Sequence, residues 1–298
     1  MERKRYIEGL MMGVAAFVLW GLLPLYWKLV KAISPYQIFT QRVVWSFLFV
    51  MIILAVRGLL PKYKEVISQP KNWIGILGPA FFISVNWLLY IWAVNNDYVI
   101  ESSLGYFINP LVLTLFGAIF YKERLTKLQT IGITLATVGV LMKSFYYGQI
   151  PYIALVLAFS FAVYGLLKKK SALDSLTGLA FETLVIGVPS LIYIMRVESQ
   201  GTGIHGNLPW QFWILIAFSG IATATPLLLY AEGTKRLPLS VLGFLQYIAP
   251  TIMLILGILV FKEPFQRSDL IPFAMIWIGL LFFSYAQYKL LSQKMTTS

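Results

Sequence analysis

Ten apolar runs follow one another along this chain, each closed by a short connection rich in Lys, Arg, Pro, Gly or Asn. They cover approximately residues 9–30, 36–56, 73–94, 99–121, 128–145, 151–167, 176–195, 210–231, 239–261 and 270–288. A helix needs about 20 apolar residues to cross the hydrocarbon core of a bilayer. The expected fold class is therefore an all-α membrane protein of ten transmembrane helices. Composition agrees: 59% of the 298 residues are hydrophobic and 12% charged, whereas a soluble domain has about 45–50% and about 25%. Too few charged residues remain to cover a water-facing surface.

The chain carries 24 Lys and Arg against 12 carboxylates, a net charge of +12. Such a balance suits nucleic acid, anionic lipid or cytoplasmic loops. The basic residues here are dispersed between apolar runs, which favours topology and argues against a nucleic-acid face. With no Cys and a single loop histidine, His205, disulfides and Cys-based metal sites are excluded, and no metal or cofactor is expected. The run at 9–30 follows Arg3, Lys4 and Arg5 but lacks a small-x-small cleavage site, so it reads as a retained first helix.

Lys and Arg flanking membrane helices are retained on the cytoplasmic side. Placing the N-terminus inside puts 17 of them in cytoplasmic connections and 6 outside, with Arg42 within a span. Both termini are then cytoplasmic. The chain also repeats itself: Ile108, Pro110, Gly117, Lys122, Glu123 and Gly139 recur without a gap as Ile248, Pro250, Gly257, Lys262, Glu263 and Gly279. The expected units are two five-helix repeats, 1–147 and 148–298. Five crossings per unit leave the second inserted upside down relative to the first. Inverted repeats are a recurring design of secondary transporters, with the substrate site near the midplane between them; the same pseudo-symmetry also occurs in channels and in some membrane enzymes.

Four segments carry a resemblance: Trp20-Gly21-Leu22-Leu23-Pro24-Leu25-Tyr26-Trp27-Lys28, Gln41-Arg42-Val43-Val44-Trp45-Ser46, Ser103 to Leu111 with Tyr106-Phe107-Ile108-Asn109-Pro110, and Leu245-Gln246-Tyr247-Ile248-Ala249-Pro250. Together they resemble the RarD family of the drug/metabolite transporter superfamily, built from two EamA-type repeats. The resemblance implies a ten-helix permease of a bacterial inner membrane. Related superfamily members export amino acids and other metabolites. Glu232, near the end of the eighth run, departs from the neutral residue expected there.

Within the spans, Pro110 and Pro250 each remove an amide donor and free the carbonyl four residues back, those of Tyr106 and Gln246. They are expected as helix kinks, either flexing at a central cavity or statically packed. Asn109, Gln246, Tyr106 and Tyr247 beside them supply polar groups where the two repeats differ. Ionisable residues inside a membrane are functional hypotheses by default. Arg42 either snorkels or meets an anionic substrate group or partner carboxylate; Glu182, too short to snorkel, is the candidate for proton coupling. Trp20, Tyr26, Trp27, Trp87, Tyr90, Tyr164 and Tyr230 suggest an aromatic path for a flat or amphipathic solute, although aromatics also form interfacial belts. The substrate-binding set is thus Trp20, Arg42, Trp87, Tyr90, Tyr106, Asn109, Tyr164, Gln246 and Tyr247. Lys122-Glu123 and Lys262-Glu263 read as helix-end anchors and contacts between repeats.

The leading expectation is a secondary transporter, an exporter or permease of small organic metabolites or drugs working by alternating access, with the bilayer and a small-molecule substrate as its partners. A passive channel or lipid flippase is the alternative. ATP drive within this chain is disfavoured, because Gly201 to Gly206 has P-loop spacing but continues with Asn207. An intramembrane enzyme would need a His–carboxylate constellation that the sequence lacks.

Overall fold

The computed structural model describes residues 2–122, 125–146, 151–171, 173–265 and 267–296. Described residues with regular structure are helical: α1 (Glu2–Leu29), α2 (Pro35–Val56), α3 (Leu60–Ile67), α4 (Pro70–Asn95), α5 (Val99–Tyr121), α6 (Lys127–Tyr146), α7 (Tyr152–Lys170), α8 (Ser175–Ser199), α9 (Gln211–Arg236), α10 (Leu239–Leu245), α11 (Ile248–Ile255) and α12 (Arg267–Thr296). Among the described residues nine stretches are long and apolar enough to span a bilayer, the eighth of them, which corresponds to the ninth expected span, combining α10, α11 and the residues after them. The fifth expected span is a shorter apolar helix, Lys127–Met142 of α6. The chain is a multi-pass membrane protein.

Helix starts follow from local chemistry. Ser34 caps α2 by accepting from the Gln37 amide at 3.3 Å, with Pro35 as the first helical residue, where its missing N–H costs nothing. Asp174 caps α8 by accepting from the Thr177 amide at 2.9 Å. The connection between the second and third apolar runs contains a helix, α3, whose Tyr63 is buried while its lysines face outward.

The matched prolines have different surroundings. Pro110 lies inside continuous α5, whereas the chain breaks at Gln246–Tyr247 and Pro250 is the third residue of α11. At that position an amide has no intrahelical acceptor, so proline is tolerated. Downstream, Leu256–Val260 forms a π-helical turn closed by the Phe261 amide on Leu256 O at 2.9 Å. The duplication persists in the backbone: Lys122 and Lys262 both take left-handed conformations, φ +53° and +55°. Glu123 lies outside the described residues. Glu263 reaches the other half, its Oε2 accepting from the Ile100 amide at the start of α5 at 3.0 Å; burial pushes its carboxyl above the ordinary carboxylate range.

The principal helix contacts cross between the halves. α6 lies on α12, α5 on α7, α1 on α9 and α11, α2 on α8 and α9, and α4 on α7 and α8. Most of these contacts occur as exchanged pairs, α1 on α9 answering α4 on α7, and α2 on α9 answering α4 on α8. Glycines permit the closest approaches. A Cβ at Gly132 would lie 2.5 Å from Gly279 O, and one at Gly279 2.4 Å from Gly132 O, so α6 and α12 touch backbone to backbone, as small-residue packing in membranes allows.

Polarity is distributed as lipid solvent demands. Ser46, Asn86, Ser102, Asn109 and Thr183 are buried, whereas Met11, Val56, Ile74, Leu259 and Leu281 are exposed. Hydroxyls inside the bundle bond one turn back, for example Ser46 Oγ to Arg42 O at 2.6 Å and Thr183 Oγ1 to Leu179 O at 2.8 Å. In hydrocarbon such donors have no water to fall back on.

Candidate functional site

Arg42 lies two turns into α2, where the Ser34–Pro35 start and the packing of α2 on α9 turn it inward. It is 2% exposed. Its Nε donates to Thr223 Oγ1 on α9 at 3.0 Å, and the guanidinium lies 4.8 Å from the Trp27 ring and 4.6 Å from the Trp87 ring. No carboxylate pairs with it among the described residues, and Nη1 is buried without a hydrogen-bond partner. A guanidinium keeps its charge at neutral pH. Desolvating that charge costs several kcal/mol or more; two aromatic faces return about 2 kcal/mol each but supply no counter-charge. The site therefore holds an uncompensated positive charge.

Arg42 forms part of the wall of a small cavity, about 40 Å³, between the halves. First-half helices supply Trp20, Asn86, Trp87, Tyr90 and Tyr106, while Phe161, Gln246 and Met253 come from the second half. Asn86 is pinned, its Nδ2 donating to Leu157 O at 2.9 Å and Ser160 Oγ at 3.1 Å, while Tyr106 OH donates to its Oδ1 at 3.4 Å. Two further polar atoms are buried and unpartnered: Tyr90 OH and Gln246 Oε1. Gln246 occupies the break before α11, so an interrupted span contributes this residue to the cavity wall.

Six of the residues singled out from sequence thus line one space: Trp20, Arg42, Trp87, Tyr90, Tyr106 and Gln246. Tyr164 and Glu182 lie a layer away. Trp20 meets Phe161 at 5.4 Å and Phe161 meets Tyr164 at 5.9 Å, ring centre to ring centre; Tyr164 OH then donates to Glu182 Oε2 at 3.2 Å. Glu182 Oε1 also receives Lys168 Nζ at 2.8 Å in an ion pair whose side chains are 6% and 2% exposed. Asn109 lies off the cavity, its Nδ2 donating to Ala158 O at 2.6 Å across the α5–α7 contact. Tyr247 packs on Phe107 and, with Pro110, lines a smaller separate space.

Sequence reasoning did not single out Asn86, Phe161, Thr223 or Lys168. Asn86 had a signal, a strongly polar residue inside an apolar run. Lys168 sits in the run Lys168–Lys170 at a helix end and reads as a topological anchor. Thr223 is an ordinary hydroxyl until α9 is packed on α2.

The end of the bundle holding the α4–α5 connection is tied by polar contacts. Lys28 and Lys31 both reach Asp97, at 2.6 and 3.3 Å, and Gln37 Nε2 donates to Thr202 O at 2.8 Å. The Lys28 ammonium hydrogen-bonded to Asp97 holds its carboxyl below the usual carboxylate range. At the other end Lys62 pairs with Asp174 at 3.0 Å and Arg236 with Glu232. Among the described residues no three His, Asp or Glu side chains converge to hold a metal ion.

Known proteins share this architecture. An uncharacterised transporter of Bacillus subtilis, YojE, is 44% identical over 97% of each chain. The protein RarD of Escherichia coli is 39% identical, over 95% of this chain and 96% of its own. A crystal structure at 20% identity superposes with a TM-score of 0.68 over 95% of this chain and 98% of its own, showing a common fold. The profile of the EamA-like transporter family matches twice, at residues 7–145 and 150–285. With two such repeats, relatives along its whole length and a cavity built from both halves, this chain belongs to the EamA-like transporter family, as a RarD-type permease of the drug/metabolite transporter superfamily.

Proposed function

We propose that the protein is a secondary transporter that exports or exchanges small organic metabolites or drugs by alternating access, rocking two inverted repeats, 1–147 and 148–298, about a common site. The observation that carries this reading is the cavity itself: Arg42 comes from the first repeat, Gln246 from the second, both line it, and each carries a buried polar atom without a hydrogen-bond partner. A motion that parts the repeats opens such a site, and one that joins them closes it. The odd number of helical spans per half, the exchanged helix pairings and the left-handed Lys122 and Lys262 support the inverted relation. The basic residues then orient the chain in a bacterial plasma membrane with both termini in the cytoplasm. On that orientation the Phe17–Trp20–Phe161–Tyr164 aromatic layer lies on the cytoplasmic side of the cavity, and the Lys28–Asp97–Lys31 ties lie on the outer side.

Glu182 is proposed as the coupling group. In the closed bundle it is held by Lys168 and Tyr164, so proton uptake requires that pair to separate, which ties protonation to movement of α7 against α8. The test is transport in proteoliposomes holding the full chain, with a panel of labelled metabolites and antibiotics, with and without a pH gradient. Saturable flux and counterflow are expected; flux that never saturates, without counterflow, indicates a channel. Glu182→Gln is expected to abolish the effect of the pH gradient, and persistence of that effect removes Glu182 from coupling.

A further inference from the structure

We infer that the cavity takes a small organic monoanion, a carboxylate on an apolar or aromatic body, with its charge placed on Arg42. The inference rests on the carrier reading above and narrows it to a substrate class. Its starting point is a contrast within the same bundle. Lys168, equally remote from water, is matched by the carboxylate of Glu182 at 2.8 Å. Arg42 is matched by neutral groups alone: a threonine hydroxyl and two indole faces. None of these cancels a charge in a low-dielectric interior, where an ion is stable only if paired or hydrogen-bonded in full.

The geometry says what completes the pair. Thr223 occupies Nε and the two indoles flank the guanidinium, so its plane is held while Nη1 remains without an acceptor. A carboxylate oxygen at Nη1 would form a charge-assisted hydrogen bond, stronger than a neutral one. The phenol of Tyr90, also unpartnered and on the same wall, offers a second donor. Among the described residues Arg42 is the sole charged side chain lining the space. One positive charge balances one negative charge, so a phosphate dianion or dicarboxylate would leave excess charge buried.

The remaining wall fixes the body of the solute. Phe17, Trp20, Leu23, Phe161 and Met253 also line the space, and apolar surface removed from water there gains roughly 25 cal/mol per Å². Gln246 Oε1 adds one unmet acceptor from the second repeat. A solute whose carboxylate meets Arg42 and whose N–H or O–H meets Gln246 touches both halves at once, so its binding energy acts on their relative position. A cation is repelled by Arg42, and a neutral isostere leaves the guanidinium unpaired.

The test uses the full chain in nanodiscs of zwitterionic lipid, so that no lipid of net negative charge competes with the added probe. Isothermal titration compares phenylacetate, its neutral isostere phenylacetamide and the cation 2-phenylethylammonium. Phenylacetate is expected to bind about tenfold or more tightly than the amide, with no binding by the cation. Arg42→Gln is expected to lower affinity for phenylacetate about tenfold or more and for the amide by less than about twofold. Arg42→Lys keeps the charge but loses the planar fork; it is expected to fall between the two, and it serves if the glutamine variant does not fold. An amide that binds as tightly as the anion overturns the monoanion assignment while leaving the cavity a solute site. Absence of binding by all three also overturns it; saturable counterflow of other solutes in the same preparation would then show that the carrier reading stands alone.

Discussion

Replacing Gly220 by alanine probes the contact on which the site depends. Gly220 on α9 faces the backbone of α2: a Cβ there would lie 2.4 Å from Trp45 O, 2.5 Å from Trp45 C and 2.9 Å from Ser46 N. Ordinary contact begins at 3.4 Å, so the two helices must separate locally by about 1 Å to relieve the overpacking. The obstruction is main chain and cannot rotate aside, which puts the overpacking penalty near the upper end of its usual range, about 3 kcal/mol. Alanine returns about 1 kcal/mol of helix propensity, for a net loss of about 2 kcal/mol. At about 2–3 °C per kcal/mol for a chain of this size, the thermal midpoint should fall by about 4–6 °C. The same displacement acts on function, because Thr223 is one turn further along α9 and holds Arg42 Nε at 3.0 Å. A helix separation of this size takes that contact beyond hydrogen-bond range, so solute affinity should drop together with stability. The control is Gly187→Ala on α8, where nothing lies within 4 Å of the added carbon; it should melt at or slightly above the parent. Thermal unfolding in detergent and titration with the phenylacetate probe measure both effects. A Gly220→Ala protein that melts and binds like the parent would refute the close α2–α9 packing, and with it the positioning of Arg42 by Thr223.

Two further outcomes are expected. Removing one member of the buried Lys168–Glu182 pair, by Lys168→Met or Glu182→Leu, should cost about 3–5 kcal/mol because the other charge is left alone, whereas the double variant should recover most of that loss; additive losses in thermal or denaturant unfolding would show that the pair is not formed. The chain has no natural cysteine, so His205→Cys and Lys64→Cys, both exposed positions, report orientation without background. A membrane-impermeant thiol reagent added to intact cells should label the first and not the second, and the reverse pattern overturns the proposed topology.

Particular residues show how far sequence reasoning reaches. The apolar runs, the echo at 140 residues and the Tyr-Phe-Ile-Asn-Pro and Gln-Tyr-Ile-Ala-Pro segments pointed to the family directly, because each is a local pattern. Six of nine expected substrate residues share one cavity for a related reason: polar or aromatic side chains inside a lipid-spanning run must turn toward protein. Asn109 obeys the same rule yet turns toward α7 and bonds Ala158 O, since interior directions in a bundle include helix contacts as well as cavities. The pairing of Glu182 with Lys168 was hidden because Lys168 belongs to a basic run at a helix end, where charge usually meets water. The broken ninth span is a similar case. Pro250 and Pro110 are equivalent in sequence, but only the former follows an interruption of the helix, and the surrounding packing decides which carbonyls go without an intrahelical partner.

The sequence by itself determined that this chain lives in a membrane, that it is helical and that it is written twice, because hydrophobic length and backbone satisfaction in lipid leave few other solutions. It also placed Arg42 and Glu182 inside spans without saying what either meets. Tertiary structure alone decided that. The bundle brings Lys168 of α7 to Glu182 of α8, and sets Thr223 of α9, Trp27 of α1 and Trp87 of α4 around Arg42 of α2 beside a cavity. The physical reason is that a charge in low dielectric is defined by its neighbours, and those neighbours lie 14 residues away in one case and 181 in the other.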